Sequence, residues 1–220
     1  MIICIGKVYF IWYMCLYLRK ILYLCRIFLE LMKNIKYVGC DDADLDLFES
    51  QYELPQGMCY NSYVVLGEEK VAVMDSVDAR CCEEWLGRVE EALNGRTPDY
   101  LVCQHMEPDH SGSMAAFLAN YPQATVLCSK QAVTLMKQFR IEAPNVQIVA
   151  EGECIDLGGL SLQFLAAPMI HWPEVIMSYD PIEGILFSAD GFGRFGPADP
   201  SFPWEEGARR YYFNIVGKYG

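Results

Sequence analysis

Short apolar runs separated by turn residues fill most of the chain, and their periodicity changes along it. Lys36-Tyr37-Val38-Gly39-Cys40 reads as a short strand, followed by an acidic stretch from Asp41 to Glu49 and a turn at Pro55-Gln56-Gly57. Tyr60 to Leu66 and Lys70 to Asp75 read as two strands joined through Gly67-Glu68-Glu69, a hairpin of ordinary length. In residues 79–93, Trp85, Val89 and Leu93 recur at helical spacing, and Gly95 marks the exit. A strand at Tyr100–Gln104, a short helix at Ser113–Asn120, a strand at Ala124–Cys128, a helix at Lys130–Phe139 and a strand at Val146–Val149 continue this alternation. Strands then follow strands. Cys154–Leu160 and Ser161–Ala166 flank a Gly-Gly turn, and Glu174–Tyr179 and Gly184–Ser188 flank Asp180-Pro181-Ile182-Glu183. A helical pattern returns from Trp204 to Tyr219. Hairpins mixed with strand–helix alternation predict an α+β layered sandwich with sheets inside and helices outside.

Composition changes this picture at the N-terminus. The 220 residues are 53% hydrophobic, and the excess sits in residues 1–31, an almost wholly apolar leader. Lys7, Arg19, Lys20 and Arg26 against Glu30 give the leader a charge of +3, so a total of −12 leaves −15 on the remainder. So acidic a body argues against nucleic acid as a partner, because phosphate binding needs Lys and Arg. The longest uncharged run in the leader, Val8 to Leu18, is short of the ~20 residues of a membrane-spanning helix, and no small-residue cleavage site follows it. The leader is therefore expected not to be native coding sequence, with translation starting at Met32. Ten cysteines are scattered without a CxxC pair. Such usage fits a reducing cytoplasm and supports neither a structural zinc site nor an iron–sulfur cluster.

The chemistry concentrates in His105-Met106-Glu107-Pro108-Asp109-His110, four potential metal ligands within six residues of a chain with three histidines. In an extended loop side chains alternate, so His105, Glu107 and Asp109 are expected to project to one side, with Pro108 keeping the loop extended. His110 falls where the chain turns into Ser111-Gly112-Ser113. The remaining candidates lie far away. His171, between apolar neighbours, reads equally as a core histidine bonded to a carbonyl, and Asp190, at the end of Ile185–Asp190, as a turn-forming residue. Gly191-Phe192-Gly193-Arg194-Phe195-Gly196 matches a dinucleotide-binding fingerprint, but Pro197, Pro200 and Pro203 follow where a helix would have to open.

With His171 in a His-Trp-Pro context and Asp190 in Phe-Ser-Ala-Asp-Gly-Phe-Gly, the HxExDH pattern resembles the metallo-β-lactamase-fold domain of the flavodiiron proteins, the A-type flavoproteins. The likeness covers residues ~32–220 and includes the approach segment Pro55 to Tyr63. It implies an αββα sandwich, incomplete at its C-terminus, and a pair of irons. His105, Glu107 and His171 would hold one iron, Asp109 and His110 the other, and Asp190 would bridge them. Hydrolases of the fold carry HxHxDH, so Glu107 marks the diiron branch. Three imidazoles and three carboxylates also suit first-row metals better than a tetrahedral structural zinc. Asp75 resembles the fold's aspartate behind the ligand loop, with a purely structural role open beside it. The implied activity is reduction of O2 to water or NO to N2O in the cytoplasm. In the full-length family electrons pass from a flavodoxin or rubredoxin-type donor through FMN, within a head-to-tail homodimer. Two family features lie outside the match: a further histidine ligand from a later strand, and the flavodoxin domain that carries FMN. The residues are thus expected to represent a truncated product, with a zinc-dependent hydrolase or an inactive remnant as the competing readings.

Overall fold

The computed structural model describes residues 2–4, 34–199, 201 and 204–217. Apart from residues 2–4, the leader expected to be non-native lies outside the described residues, as does the end of the Trp204–Tyr219 pattern.

In chain order the strands are β1 (Ile2–Cys4), β2 (Ile35–Tyr37), β3 (Cys40–Asp42), β4 (Leu47–Phe48), β5 (Tyr52–Glu53), β6 (Met58–Tyr60), β7 (Tyr63–Leu66), β8 (Val71–Met74), β9 (Tyr100–Cys103), β10 (Thr125–Cys128), β11 (Val146–Ile148), β12 (Cys154–Asp156), β13 (Ser161–Ala166), β14 (Ile176–Asp180) and β15 (Ile185–Phe187). The helices are α1 (Cys82–Leu93), α2 (Pro108–Ser111), α3 (Met114–Asn120), α4 (Lys130–Gln138) and α5 (Trp204–Tyr211). A six-stranded sheet runs β11-β10-β9-β8-β7-β2 and a five-stranded sheet β1-β15-β14-β13-β12. Strands β8 to β11 are parallel, because a helix returns the chain between each pair. The five-stranded sheet is antiparallel throughout. Ribbons β3–β6 and β4–β5 complete the described strands.

The two sheets bury one apolar layer between them. Val65, Ala72, Met74, Val102 and Leu127 face Leu162, Phe164, Ile185 and Phe187. The alternate residues Val71, Val73, Leu101 and Val126 turn to the helices, where they meet Trp85, Val89 and Leu93 of α1 with Phe117, Leu118 and Met136. Val71–Met74 is consequently buried at every position, which explains why this strand reads as a continuous apolar run. The layered α+β sandwich expected from the pattern is the fold observed. Among the described residues no helix is long and apolar enough to cross a membrane.

Three local readings are corrected. Tyr60–Leu66 is not one strand. It divides at Asn61-Ser62, where the Ser62 hydroxyl turns inward to donate to Asp75 O at 2.9 Å and accept from Trp85 Nε1 at 2.9 Å. Residues 105–110 do not continue as extended chain, for Pro108 opens α2 and Glu107 is its N-cap, at φ −58° and ψ 146°. Proline is pre-set for the first helical position, which has no intrahelical N–H bond to lose. Lastly, Lys36–Cys40 is not one strand, for β2 ends at Tyr37 and β3 begins at Cys40 in a separate sheet, whereas the helical pattern from Trp204 holds, running on from α5 into a π turn, Tyr212–Val216.

Two glycines give a paired test. The hairpin after β7 locks onto the second sheet through Glu68 N–H to Gly158 O and Lys70 N–H to Leu157 O. A Cβ on Gly67 would lie 2.0 Å from Leu157 O, whereas one on the exposed Gly87 of α1 would meet nothing within 4 Å. Gly67→Ala is expected to lower the unfolding free energy by about 2–3 kcal/mol through overpacking. Gly87→Ala is expected to raise it by about 0.5–1 kcal/mol through helix propensity. Urea denaturation followed by circular dichroism measures both.

Candidate metal centre

The six candidate ligands come from loops at one end of the two sheets. The chain leaving β9 carries His105 and Glu107, α2 carries Asp109 and His110, the loop before β14 carries His171, and the turn after β15 carries Asp190. The two sheets are stitched at this end by the Ile176 N–H to Gln104 O bond, 3.0 Å.

The structure brings all six together, in two groups that share Asp190. His105, Glu107, His171 and Asp190 form one group and Asp109, His110 and Asp190 the other, each with donor atoms within 4.8 Å of one another. In the first, Glu107 Oε2 lies 2.7 Å from His171 Nε2 and 3.3 Å from His105 Nε2, and Asp190 Oδ2 lies 3.2 Å from both imidazoles. In the second, Asp190 Oδ1 accepts from His110 Nε2 at 2.9 Å, with Asp109 Oδ2 at 3.8 Å from the same nitrogen. Asp190 thus turns one oxygen to each group. The helical start at Pro108 explains the division: Asp109 points away from His105 and Glu107 and joins His110, rather than sharing their side as the extended-loop expectation had it. The His171 ring meets carboxylates rather than a carbonyl.

Burial makes this arrangement expensive without a cation. His105 is 0% exposed, and Glu107, His171 and Asp190 are each no more than 5% exposed. Asp109 Oδ1 and Glu174 Oε2 are buried with no hydrogen-bond partner. Such atoms ordinarily cost a few kcal/mol each, and converging lone pairs on a set of imidazoles and carboxylates are what a first-row metal requires. The residues therefore fit a pair of metal ions.

Electrostatics point the same way. Burial opposes ionisation of Asp190, yet the imidazoles of His105 and His110 outweigh it and hold its carboxyl well below the usual range. Burial likewise opposes charge on His105 and His110, but the surrounding carboxylates hold both imidazoles well above theirs. Against the same burial, Asp190 and Glu107 raise His171 to about 9. Burial pushes Asp109 up to about 7, with Glu107 and Asp190 reinforcing it against His110.

Three further side chains back the cluster. Asp75, at φ 52°, accepts the Gln104 N–H at 2.7 Å and faces His110 Nδ1 at 3.3 Å, so it is at once a loop anchor and an imidazole partner. Glu174 accepts from His105 Nδ1 at 2.7 Å and from the Met106 N–H at 2.9 Å. Tyr211 of α5 lines the same cavity as Asp190 and is pushed well above the usual phenol range by burial and by the Asp190 charge. A Cβ on Gly193 would lie 2.7 Å from its ring, so the glycine-rich loop is needed for close packing; among the described residues no helix opens there before Trp204. Glu174 and Tyr211 were not singled out from sequence. Glu174 lies three residues past His171, but its partners are 68 and 69 residues away, and Tyr211 reads as one more aromatic of a helical pattern.

Two facing sheets with ligand loops at one end define a metallo-β-lactamase-like domain. Residues 58–210 match the family described as "ODP family beta lactamase". A putative diflavin flavoprotein A 2 of Synechocystis sp. is 36% identical over 81% of this chain and 32% of its own length. An anaerobic nitric oxide reductase flavorubredoxin of Vibrio vulnificus is 31% identical over 86% of this chain and 40% of its own. Among solved structures, rubredoxin oxygen:oxidoreductase of Desulfovibrio gigas superposes with a TM-score of 0.80 at 30% identity, covering 86% of this chain and 49% of that one. The chain belongs to the flavodiiron protein family, as its metallo-β-lactamase-like domain. It spans 32% to 49% of the length of these relatives.

Metal binding must expel the protons the imidazoles hold. Because His171 is raised to about 9, apparent affinity for Zn(II) is expected to climb as pH rises from 6 to 9, roughly tenfold per unit for each proton displaced. Competition with a chromophoric chelator across this range measures the slope, and a flat profile contradicts the assignment.

Proposed function

We propose that this domain holds two iron ions and reduces O2 to water or NO to N2O, using electrons that reach it from a flavin-bearing domain or a rubredoxin-type donor. His105, Glu107 and His171 would hold one iron, Asp109 and His110 the other, and Asp190 would bridge them. The observation that carries this reading is Asp190, whose two oxygens are divided between the two groups while Glu107 supplies a carboxylate to the first. A ferrous pair held there would supply two electrons, enough to couple two NO molecules, while O2 needs four and hence a recharging donor. Anionic Glu107 in place of an imidazole would favour the more oxidised metal pair.

The residues around the ions have separable tasks. A cavity of about 40 Å3 opens on Asp109, His110, Asp190, Gln104 and Tyr211, room for a molecule of two or three heavy atoms. Trp172 stacks edge-on against His105 at 5.2 Å and excludes water from that side. Burial beside the Asp190 charge keeps the Tyr211 phenol protonated at the cavity wall. The names of the relatives support both substrates, since one is a nitric oxide reductase and another an oxygen oxidoreductase.

Protein reconstituted with ferrous iron under argon is expected to bind two irons per chain, read by atomic absorption, and to consume NO or O2 when a chemical reductant recharges it. Retention of zinc in preference to iron would support a hydrolase, and absence of both metals a remnant. Asp190→Asn is expected to remove both irons, because the shared carboxylate serves each group. Glu107→Gln should release mainly the iron of the His105 group, lowering the count towards one.

A further inference from the structure

Both ring nitrogens of His105 have partners, on opposite sides of the ring. Nε2 faces Glu107 Oε2 at 3.3 Å and Asp190 Oδ2 at 3.2 Å. Nδ1 faces Glu174 Oε1 at 2.7 Å, and the same oxygen accepts the Met106 N–H at 2.9 Å. Glu174 is 1% exposed, and its other oxygen is buried without a hydrogen-bond partner.

We propose that Glu174 is a positioning residue of the metal centre, which fixes the Nδ1–H form of His105 and sets the loop of His171 in register with the loop of His105. The proposal rests on the reading of the cluster as a metal centre. A neutral imidazole carries one proton, and the carboxylate takes it on Nδ1, leaving the Nε2 lone pair aimed between Glu107 and Asp190. With His105 at 0% exposure, no solvent stands ready to replace that acceptor. A carboxylate behind a ligating imidazole also makes the ring a stronger donor than a carbonyl or water would, which favours the higher oxidation state of a redox metal. The second bond of Oε1 gives the loop register. Glu174 ends the segment that carries His171, and Met106 stands between His105 and Glu107, so one oxygen atom ties together two chain segments that supply three ligands. Asp75 performs the equivalent double service for His110 and the Gln104 N–H, at a longer 3.3 Å from the imidazole.

Two variants separate positioning by charge from mere packing. Glu174→Gln keeps the shape and an acceptor oxygen but loses the charge, and Glu174→Leu removes the acceptor. Zn(II) serves as the diamagnetic probe, with His105 followed by two-bond nitrogen–proton NMR correlations and affinity by chelator competition. The wild type should show zinc on Nε2 and a proton on Nδ1. Glu174→Gln should keep this pattern with about tenfold weaker binding, and its iron-loaded form should be reduced at a higher potential. Glu174→Leu should mix the two His105 forms and weaken binding about 10- to 100-fold. If Glu174→Leu does not fold, Glu174→Gln decides. Binding within twofold of wild type together with an unchanged potential in Glu174→Gln overturns the proposal, whatever happens to stability. A wild-type protein that takes up no zinc at His105 would instead overturn the metal-centre reading itself.

Discussion

Charge balance in a dry place is the constraint on which the rest of this molecule depends. Glu107, Asp109, Asp190, Asp75 and Glu174 put five buried carboxyl groups around three imidazoles. Fully ionised, they would leave two negative charges uncompensated even with every imidazole protonated. Buried charge of one sign is tolerated only when something of opposite sign is supplied. Protons can do part of it, as the raised Asp109 carboxyl shows, and two divalent cations would offset four of the five charges while freeing the imidazoles to act as ligands. The sheets are then understood as a scaffold that holds four connections at one rim closely enough for this exchange to be made.

The scaffold itself was largely legible in the chain. Trp85, Val89 and Leu93 are buried on α1 as their spacing demanded, and the unbroken apolar run Val71–Met74 is covered on both faces. Periodicity reports which face of an element is apolar, so it works wherever one face meets a core. It failed where a single polar group decided the backbone path. Ser62 divides a run that reads as one strand, because its hydroxyl serves Trp85 and Asp75 at once, and no local pattern records partners 23 and 13 residues away.

The candidate centre divides along the same line. The density of His105 to His110 was visible because those residues are adjacent, and His171 and Asp190 acquired meaning only through the family resemblance. The extended reading of the cluster failed at Pro108, which can stop a helix or open one; here Glu107 caps α2, and the turn of helix sends Asp109 to the side of His110. Glu174 escaped notice because a buried glutamate has no signature until its partners are known, and those partners belong to another sheet.

The division of Asp190 between two groups also bears on how the protein is made. His110 and Asp190 are 80 residues apart in sequence, and between them lie four strands of the second sheet and the whole of α3 and α4. Closing so long a loop is entropically unfavourable until the apolar layer between the sheets has formed. A nascent chain therefore presents the His105–His110 ligands long before the carboxylate that unites them. On the proposed reading, an ion held by both groups would have to enter after this closure, and the completed set of ligands rather than the first ones synthesised would select it.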